Sequence, residues 1–193
     1  MTDLIKQSIL GVVLCGGKSS RMGRDKGTMR LQNGMSFIDH AIERLKPICD
    51  EVCLAGRLSA SVNLVMLPDP NPHQGPIFGV LEAIQYAAKQ AKANKQFQAC
   101  LITPVDMPYL TTADLRAILI GWQTHQQLTY AVSGPKQTPQ PLVGVYPVHH
   151  HAAISLHAKT DSSLRRWIEH QPAAQVALEE SHCRNINRPE DLI

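Results

Sequence analysis

No run of 18 apolar residues occurs in this chain, which excludes a membrane-spanning helix, and the opening stretch MTDLIKQSILGVVLCGG holds too short an apolar run for a secretory signal. A soluble, cytoplasmic protein is expected. CxxC pairs are also missing. The five cysteines, Cys15, Cys49, Cys53, Cys100 and Cys183, are odd in number, so neither a disulfide framework nor a zinc ribbon fits them, and they are read as reduced thiols. A strong excess of one charge is lacking too: 19 basic against 16 acidic residues leave +3 at pH 7, which argues for neither a nucleic-acid nor a membrane partner. With 44% hydrophobic and 18% charged residues the composition lies outside the regime of disorder. Its 193 residues suffice for a sizeable core and no composition shift marks a boundary, so one domain over 1–193 is expected.

Two common phosphate-binding loops are absent. GxxxxGK[ST] could use Gly17, Lys18 and Ser19, but its first glycine would fall on Val12. GxGxxG fails because Gly16 and Gly17 are adjacent and the next glycine is Gly23. Neither a P-loop ATPase nor a simple NAD enzyme is favoured.

What is present is an alternation of strands and helices. SILGVVL (8–14) is a β-branched apolar run of the kind buried on both faces, and apolar positions at helical spacing follow from Ser36 to Lys46, closed by Pro47. EVCLAG (51–56) and NLVML (63–67) read as strands, and residues 76–91 as a helix with Pro76 in its first turn. QACLIT (98–103) is another buried strand, and Thr111 with Asp114 opens a helix with a capping-box pattern. LTYAVS (128–133) and PLVGVY (141–146) read as strands, and a last helix is expected near RPEDLI. Strands separated by helices imply βαβ units, hence a three-layer, Rossmann-like α/β sandwich with a mostly parallel sheet and helices on both faces. Ligands in such folds bind beyond the C-terminal strand ends, so the loops after Leu14, Leu67 and Thr103 should share one edge.

The first of those loops has the most chemistry. Gly16 and Gly17 allow main-chain N–H groups to approach an anion, while Lys18, Arg21, Arg24, Lys26 and Arg30 bring positive charge, and Ser19 and Ser20 bring hydroxyls. A polyphosphate is the natural occupant; a solvated basic loop with two turn glycines is the plain alternative. In PDPNPHQGPIFG, Asp69 follows a strand and could accept from a base or ribose, and Gly75-Pro76 opens a helix with free N–H groups; a proline-rich turn is the alternative. Asp106, between Pro104 and Pro108, offers a hard oxygen suited to Mg²⁺, although a carboxylate there could equally cap a turn.

The spaced pattern LCGGKSSRMGRDKG resembles the signature LxGGxSxRMGxDK of the molybdenum cofactor guanylyltransferases (molybdopterin-guanine dinucleotide biosynthesis protein A type), within the nucleotidyltransferases of sugar-nucleotide pyrophosphorylase type. Leu14, Gly16, Gly17, Ser19, Arg21, Met22, Gly23, Asp25 and Lys26 all match. The Asp69, Gly75, Pro76, Gly79 segment is similar to the family's DxxxxxGPxxG, Asp106 stands in its PxDxP, and NINRPEDL resembles its NxNTPEDL ending. The resemblance implies a nucleotide-diphospho-sugar transferase-like fold and transfer of GMP from GTP to the terminal phosphate of molybdopterin, with Mg²⁺ and pyrophosphate release. It implies catalytic roles for Arg21, Lys26 and Asp106. Nucleotide contacts fall to Leu14, Cys15, Gly16, Gly17, Ser19, Lys26, Asp69, Gly75, Pro76 and Asp106, acceptor contacts to Asn185 and Asn187, and the metal to Asp106 and Asn187. Transient contacts with other cofactor-biosynthesis proteins and recipient enzymes would follow from so labile an acceptor.

The chain departs from the family in three places: CLAGR, with Ala55 and Gly56, stands where an NAN stretch usually touches the nucleotide, Arg188 replaces threonine, and Cys15 replaces alanine. A cytidylyltransferase on the same acceptor, a nucleotidyltransferase on another phosphorylated acceptor, and a non-catalytic nucleotide-binding regulator or cofactor carrier are the alternatives. His149, His150 and His151 are consecutive and do not converge on one helix face, so they are not read as a metal site. Trp122 and Trp167 are read as packing residues.

Overall fold

The computed structural model describes residues 8–15, 26–57 (of Lys26, the backbone alone), 62–68, 75–90, 96–187 and 191–192. Strand β1 (Ser8–Cys15) sends Ile9, Val13 and Cys15 into one core and Leu10, Val12 and Leu14 into another. Both faces are covered, so the strand is apolar throughout rather than alternating. Helix α1 (Phe37–Leu45) starts where the Ser36 hydroxyl accepts from the Asp39 N–H at 3.1 Å, and it buries Phe37, Ile38, Ala41, Ile42 and Leu45 against the first core.

The chain then steps outward through β2 (Glu51–Gly56) and β3 (Val65–Leu67), both parallel to β1. Helix α2 (Pro76–Gln90) packs Ile77, Val80, Ala83, Ile84 and Ala87 into the second core, and β4 (Phe97–Pro104) returns to the other side of β1, again parallel. Helix α3 (Thr112–His125) carries the full capping box, Thr111 with Asp114, and buries Trp122 against the α1 core.

Strands β5 (Leu128–Ser133) and β6 (Thr138–Pro147) form an antiparallel pair, and β6 lies antiparallel to β4 as well. The turn between them is four residues long and runs through Gly134 at φ 69° and Gln137 at φ 49°; so short a link permits only an antiparallel neighbour. Helices α4 (His151–Ala158) and α5 (Leu164–Glu169) close the second core, and β7 (Ala173–Leu178) adds an edge strand parallel to β5. The sheet order is β3-β2-β1-β4-β6-β5-β7. The mostly parallel three-layer sandwich is therefore present, with β6 as its antiparallel member. The helix expected at RPEDLI falls largely on 188–190, outside the described residues. Among the described residues no helix is long and apolar enough to cross a membrane, and no cysteine is in a disulfide.

In the second core Trp167 stacks on Tyr146 with ring centroids 6.2 Å apart and takes the edge of His150 at 5.6 Å, so Trp167 packs as expected. Burial, and then the neighbouring His149, pulls the His150 imidazole down from 6.5 to about 4. A group depressed in the folded state binds its proton more tightly when unfolded, so its contribution to stability is complete above pH 6.5 and is lost as the pH falls towards about 4. His150→Phe keeps an edge contact with Trp167 and should flatten that part of the melting-temperature profile. A variant profile parallel to wild type between pH 6.5 and 4 would show that the acid loss arises elsewhere.

Candidate active site at the reversal of strand order

Strands β1 and β4 mark the point where the sheet changes its direction of growth, since β2 and β3 extend to one side of β1 and β4 follows on the other. The crevice outside the carboxyl ends of two such strands is where open α/β sheets bind ligands. Here the register pairs Leu14 with Pro104, and the Val105 N–H donates to the Leu14 carbonyl at 3.1 Å, so the chain beyond β4 leaves the sheet directly beside the end of β1. Leu14 and Cys15 end β1 buried, and Cys15 pairs with Gly56 at the end of β2. Ala55 in turn pairs with Leu67 at the end of β3, so the strand ends from which the three expected loops leave share one edge, while most of the first two loops lies outside the described residues.

Close approach at that edge depends on glycine. A Cβ on Gly79, in the first turn of α2, would come within 3.0 Å of the Leu14 side chain, so the start of this helix lies against the end of β1. Gly75, just ahead of Pro76, has φ +117°, and a Cβ there would meet the Ser162 carbonyl oxygen at 3.1 Å. The spacing Gly-Pro-x-x-Gly therefore has a packing origin: one glycine turns the chain into the helix and the other seats the helix on β1. Gly75 and Pro76 are exposed at this edge. The turn carrying Ser162 is held by Asp161, which accepts from Arg166 Nη2 at 2.6 Å and from the Ser163 N–H at 2.8 Å.

Asp106 is half-buried on the loop that follows β4, and that loop is fixed by its carbonyls. The Asp106 carbonyl accepts from the Ile186 N–H at 2.8 Å. Arg44 Nη1 donates to the carbonyls of Met107 at 2.9 Å and Leu110 at 2.6 Å, and His40 Nε2, 3.0 Å from the Pro108 carbonyl, must carry a proton to donate there. Burial, and then the Arg44 charge, lowers the His40 pKa. Burial also draws Arg44 down to about 10, with the Asp114 charge opposing, so it stays cationic at neutral pH. The Ile186 bond brings the C-terminal segment to Asp106: Ile186 is fully buried, Asn185 and Asn187 on either side of it are exposed, and the Asn187 N–H donates to Asp191 at 3.0 Å.

Leu14, Cys15, Gly75, Pro76, Asp106, Asn185 and Asn187 are thus placed on one edge. Gly16, Gly17, Ser19, Arg21 and Asp69 lie outside the described residues, as does the side chain of Lys26. Sequence reasoning did not find Arg44 or His40, whose partners lie 63 to 68 residues further along the chain. Nor did it find Ser162, although the dipeptide Ser162-Ser163 before a short apolar helix is a capping signal, and Ser163 does cap α5. Asp106 and Asn187 are oxygen donors on neighbouring segments. That set suits Mg²⁺, which is commonly held by one or two protein oxygens and completed by substrate phosphates. Among the described residues no group of three or more His, Cys, Asp or Glu forms a metal cluster.

A family model described as MobA-like NTP transferase domain matches residues 11–176. The chain is 34% identical to the probable molybdenum cofactor guanylyltransferase of Rhodopirellula baltica, covering 95% of this chain and 90% of that one. It is 32% identical to the molybdenum cofactor guanylyltransferase of Shewanella frigidimarina, covering 93% and 91%. Among solved structures it is similar to molybdopterin-guanine dinucleotide biosynthesis protein A from Archaeoglobus fulgidus, with TM-score 0.70, 18% identity and 94% of each chain covered, a likeness of fold.

Proposed function

Because the chain belongs to the MobA-like NTP transferase family and is a nucleotidyltransferase, we propose that it transfers GMP from GTP to the terminal phosphate of molybdenum cofactor, giving the guanine dinucleotide cofactor and pyrophosphate. The observation that carries this reading is the meeting of three motif segments at one crevice. The end of β1, the Asp106 loop and the 185–187 segment are joined by the Val105 to Leu14 and Ile186 to Asp106 hydrogen bonds.

The acceptor supplies its own nucleophile, a phosphate oxygen that attacks the α-phosphorus as the bond to the pyrophosphate oxygen breaks, so no strong general base is required. What must be overcome is repulsion between two anions, and in-line positioning with fixed positive charge answers it. Gly16 and Gly17 would cradle the phosphates with N–H groups, assisted by Ser19, while Arg21 and Lys26 neutralise charge on the α-phosphate and leaving group. Leu14, Cys15, Asp69, Gly75 and Pro76 would contact the nucleotide, and Asn185 and Asn187 the acceptor. Asp106 and Asn187 would hold Mg²⁺, whose contribution is to screen the phosphate oxygens. The whole chain acts as one domain, in the cytoplasm, where its five thiols remain reduced.

A second reading, the same transfer from CTP, is favoured by one observation: at Gly56 no side chain fits, so the base contact usual for this family at the end of the second strand cannot be made there. The test mixes purified protein with molybdenum cofactor, Mg²⁺ and GTP, CTP or ATP, and measures pyrophosphate together with the dinucleotide. Turnover with GTP in clear excess over CTP is expected. Turnover with CTP alone would keep the chemistry and change the substrate, and none with any nucleotide would overturn the proposal.

A further inference from the structure

We propose that Arg44 is a positioning residue for the reaction, holding the loop that carries Asp106 in its working position from beneath. The inference rests on the reading of Asp106 as the carboxylate that holds the metal.

Helix α1 sends two polar side chains to the main chain of the Asp106 loop. Arg44 is 4% exposed, and one of its terminal nitrogens bridges the carbonyls of Met107 and Leu110 while His40 takes the Pro108 carbonyl between them. Together with the Ile186 bond to Asp106, four of the five carbonyls from 106 to 110 are held by groups from outside the loop. The same arginine is bound in return, since the Thr112 hydroxyl donates to its carbonyl at 3.3 Å and so ties the end of α1 to the start of α3.

A buried arginine needs a reason. Desolvating a guanidinium is costly, and Nε and Nη2 of Arg44 have no hydrogen-bond partner among the described residues. An apolar residue of similar length could fill this helix face next to Ala41, Ile42 and Leu45, but it would leave the Met107 and Leu110 carbonyls without their donor. The feature an apolar residue could not reproduce is the bridge between two carbonyls that lie three residues apart across the turn following Asp106. That bridge fixes the curvature of the loop, and with it where the Asp106 carboxylate stands relative to the end of β1. Groups supporting a metal ligand from outside the ligand shell commonly matter by about 10 to 100-fold in metal affinity or activity, and a misplacement of about 1 Å at a reacting centre costs on the order of 100-fold in rate.

The test compares Arg44→Met, which keeps the stem and removes the donors, with Arg44→Lys, which keeps a cation without the fork. Ile84→Ala serves as a control that destabilises the fold through the other core. Three quantities are measured on folded protein: turnover, GTP affinity without divalent ions, and Mn²⁺ binding in the presence of a non-hydrolysable GTP analogue, read by electron paramagnetic resonance. Arg44→Met should lower kcat about 100-fold and weaken Mn²⁺ binding about tenfold, with metal-free GTP affinity within about threefold of wild type. Arg44→Lys should show the same pattern to a smaller degree, and it carries the test should the methionine variant not fold. Ile84→Ala should melt earlier and bind Mn²⁺ normally. Wild-type Mn²⁺ binding and kcat in the Arg44 variants, or equal losses in Ile84→Ala, would overturn the positioning role. Asp106→Asn in the same assay separates the two readings. If it loses Mn²⁺ binding while the Arg44 variants do not, the positioning role alone fails; if it binds Mn²⁺ and turns over normally, both fail.

Discussion

Replacing Asp106 by asparagine should leave a folded protein with at most about a thousandth of its turnover, because a divalent ion that neutralises transferring phosphates is worth several kcal/mol, and each 1.4 kcal/mol is a factor of ten. The side chain is half-buried, and the loop around it is held through main-chain groups, by Ile186 to the Asp106 carbonyl and by Arg44 and His40 to the carbonyls that follow. An amide of the same size therefore replaces the carboxylate without disturbing those bonds. It keeps an oxygen that can accept, but it loses the charge that a phosphate-bound cation requires. Melting temperature is expected within a few degrees of wild type, and metal-free GTP affinity close to it. Pyrophosphate release near the wild-type rate would remove Asp106 from the chemistry and leave it a turn residue.

The sequence made this edge of the molecule legible because strand ends and glycines are local. β1 was visible as an apolar run since both faces are buried, and α1 since Phe37, Ile38, Ala41, Ile42 and Leu45 keep helical spacing. Once parallel strands were inferred, the common edge of the loops followed from topology alone. The far side of the sheet was harder. β7, AAQVAL, is a partly exposed edge strand with a weak apolar signal. The β5–β6 hairpin did carry a signal, the Gly134-Pro135 step between two close strands, which argues for an antiparallel pair.

Arg44 shows why the support of a site escapes sequence reading. Next to Glu43 and Lys46 it looks like one more solvated charge on a helix, and Lys46 does make an exposed 2.6 Å pair with Glu43. What buries Arg44 is the arrival of residues 107–110, which the helix period cannot announce. Residues that touch ligand sit in recognisable local patterns; residues that hold them in place are defined by tertiary contact.

Gly56→Ala should be the most destabilising single-methyl change in the β1–β2 region, costing about 4 kcal/mol or more and lowering the melting temperature by on the order of 10 °C. A Cβ built at Gly56 would lie 1.7 Å from the Cys15 carbonyl oxygen, and φ is +110°. The obstacle is backbone of the paired strand, which no rotamer change relieves. The Cys15–Gly56 pairing is the last in the β1–β2 register and is followed by the Arg57 N–H donating to the same Cys15 carbonyl at 3.2 Å, so relief means parting the two strands at the crevice. Gly34 supplies the internal comparison: its φ is +82°, but nothing lies within 4 Å of a Cβ there, so Gly34→Ala bears the conformational cost alone, about 1 kcal/mol. Thermal melts of the two variants should differ by several degrees, with Gly56→Ala the lower. The same geometry forbids regaining a base contact by Gly56→Asn, which should melt as early as the alanine variant and gain no preference for GTP. A well-folded Gly56→Asn with sharpened nucleotide selectivity would show that β2 can part from β1 at its end, and that the missing side chain, rather than the backbone turn, governs base selection.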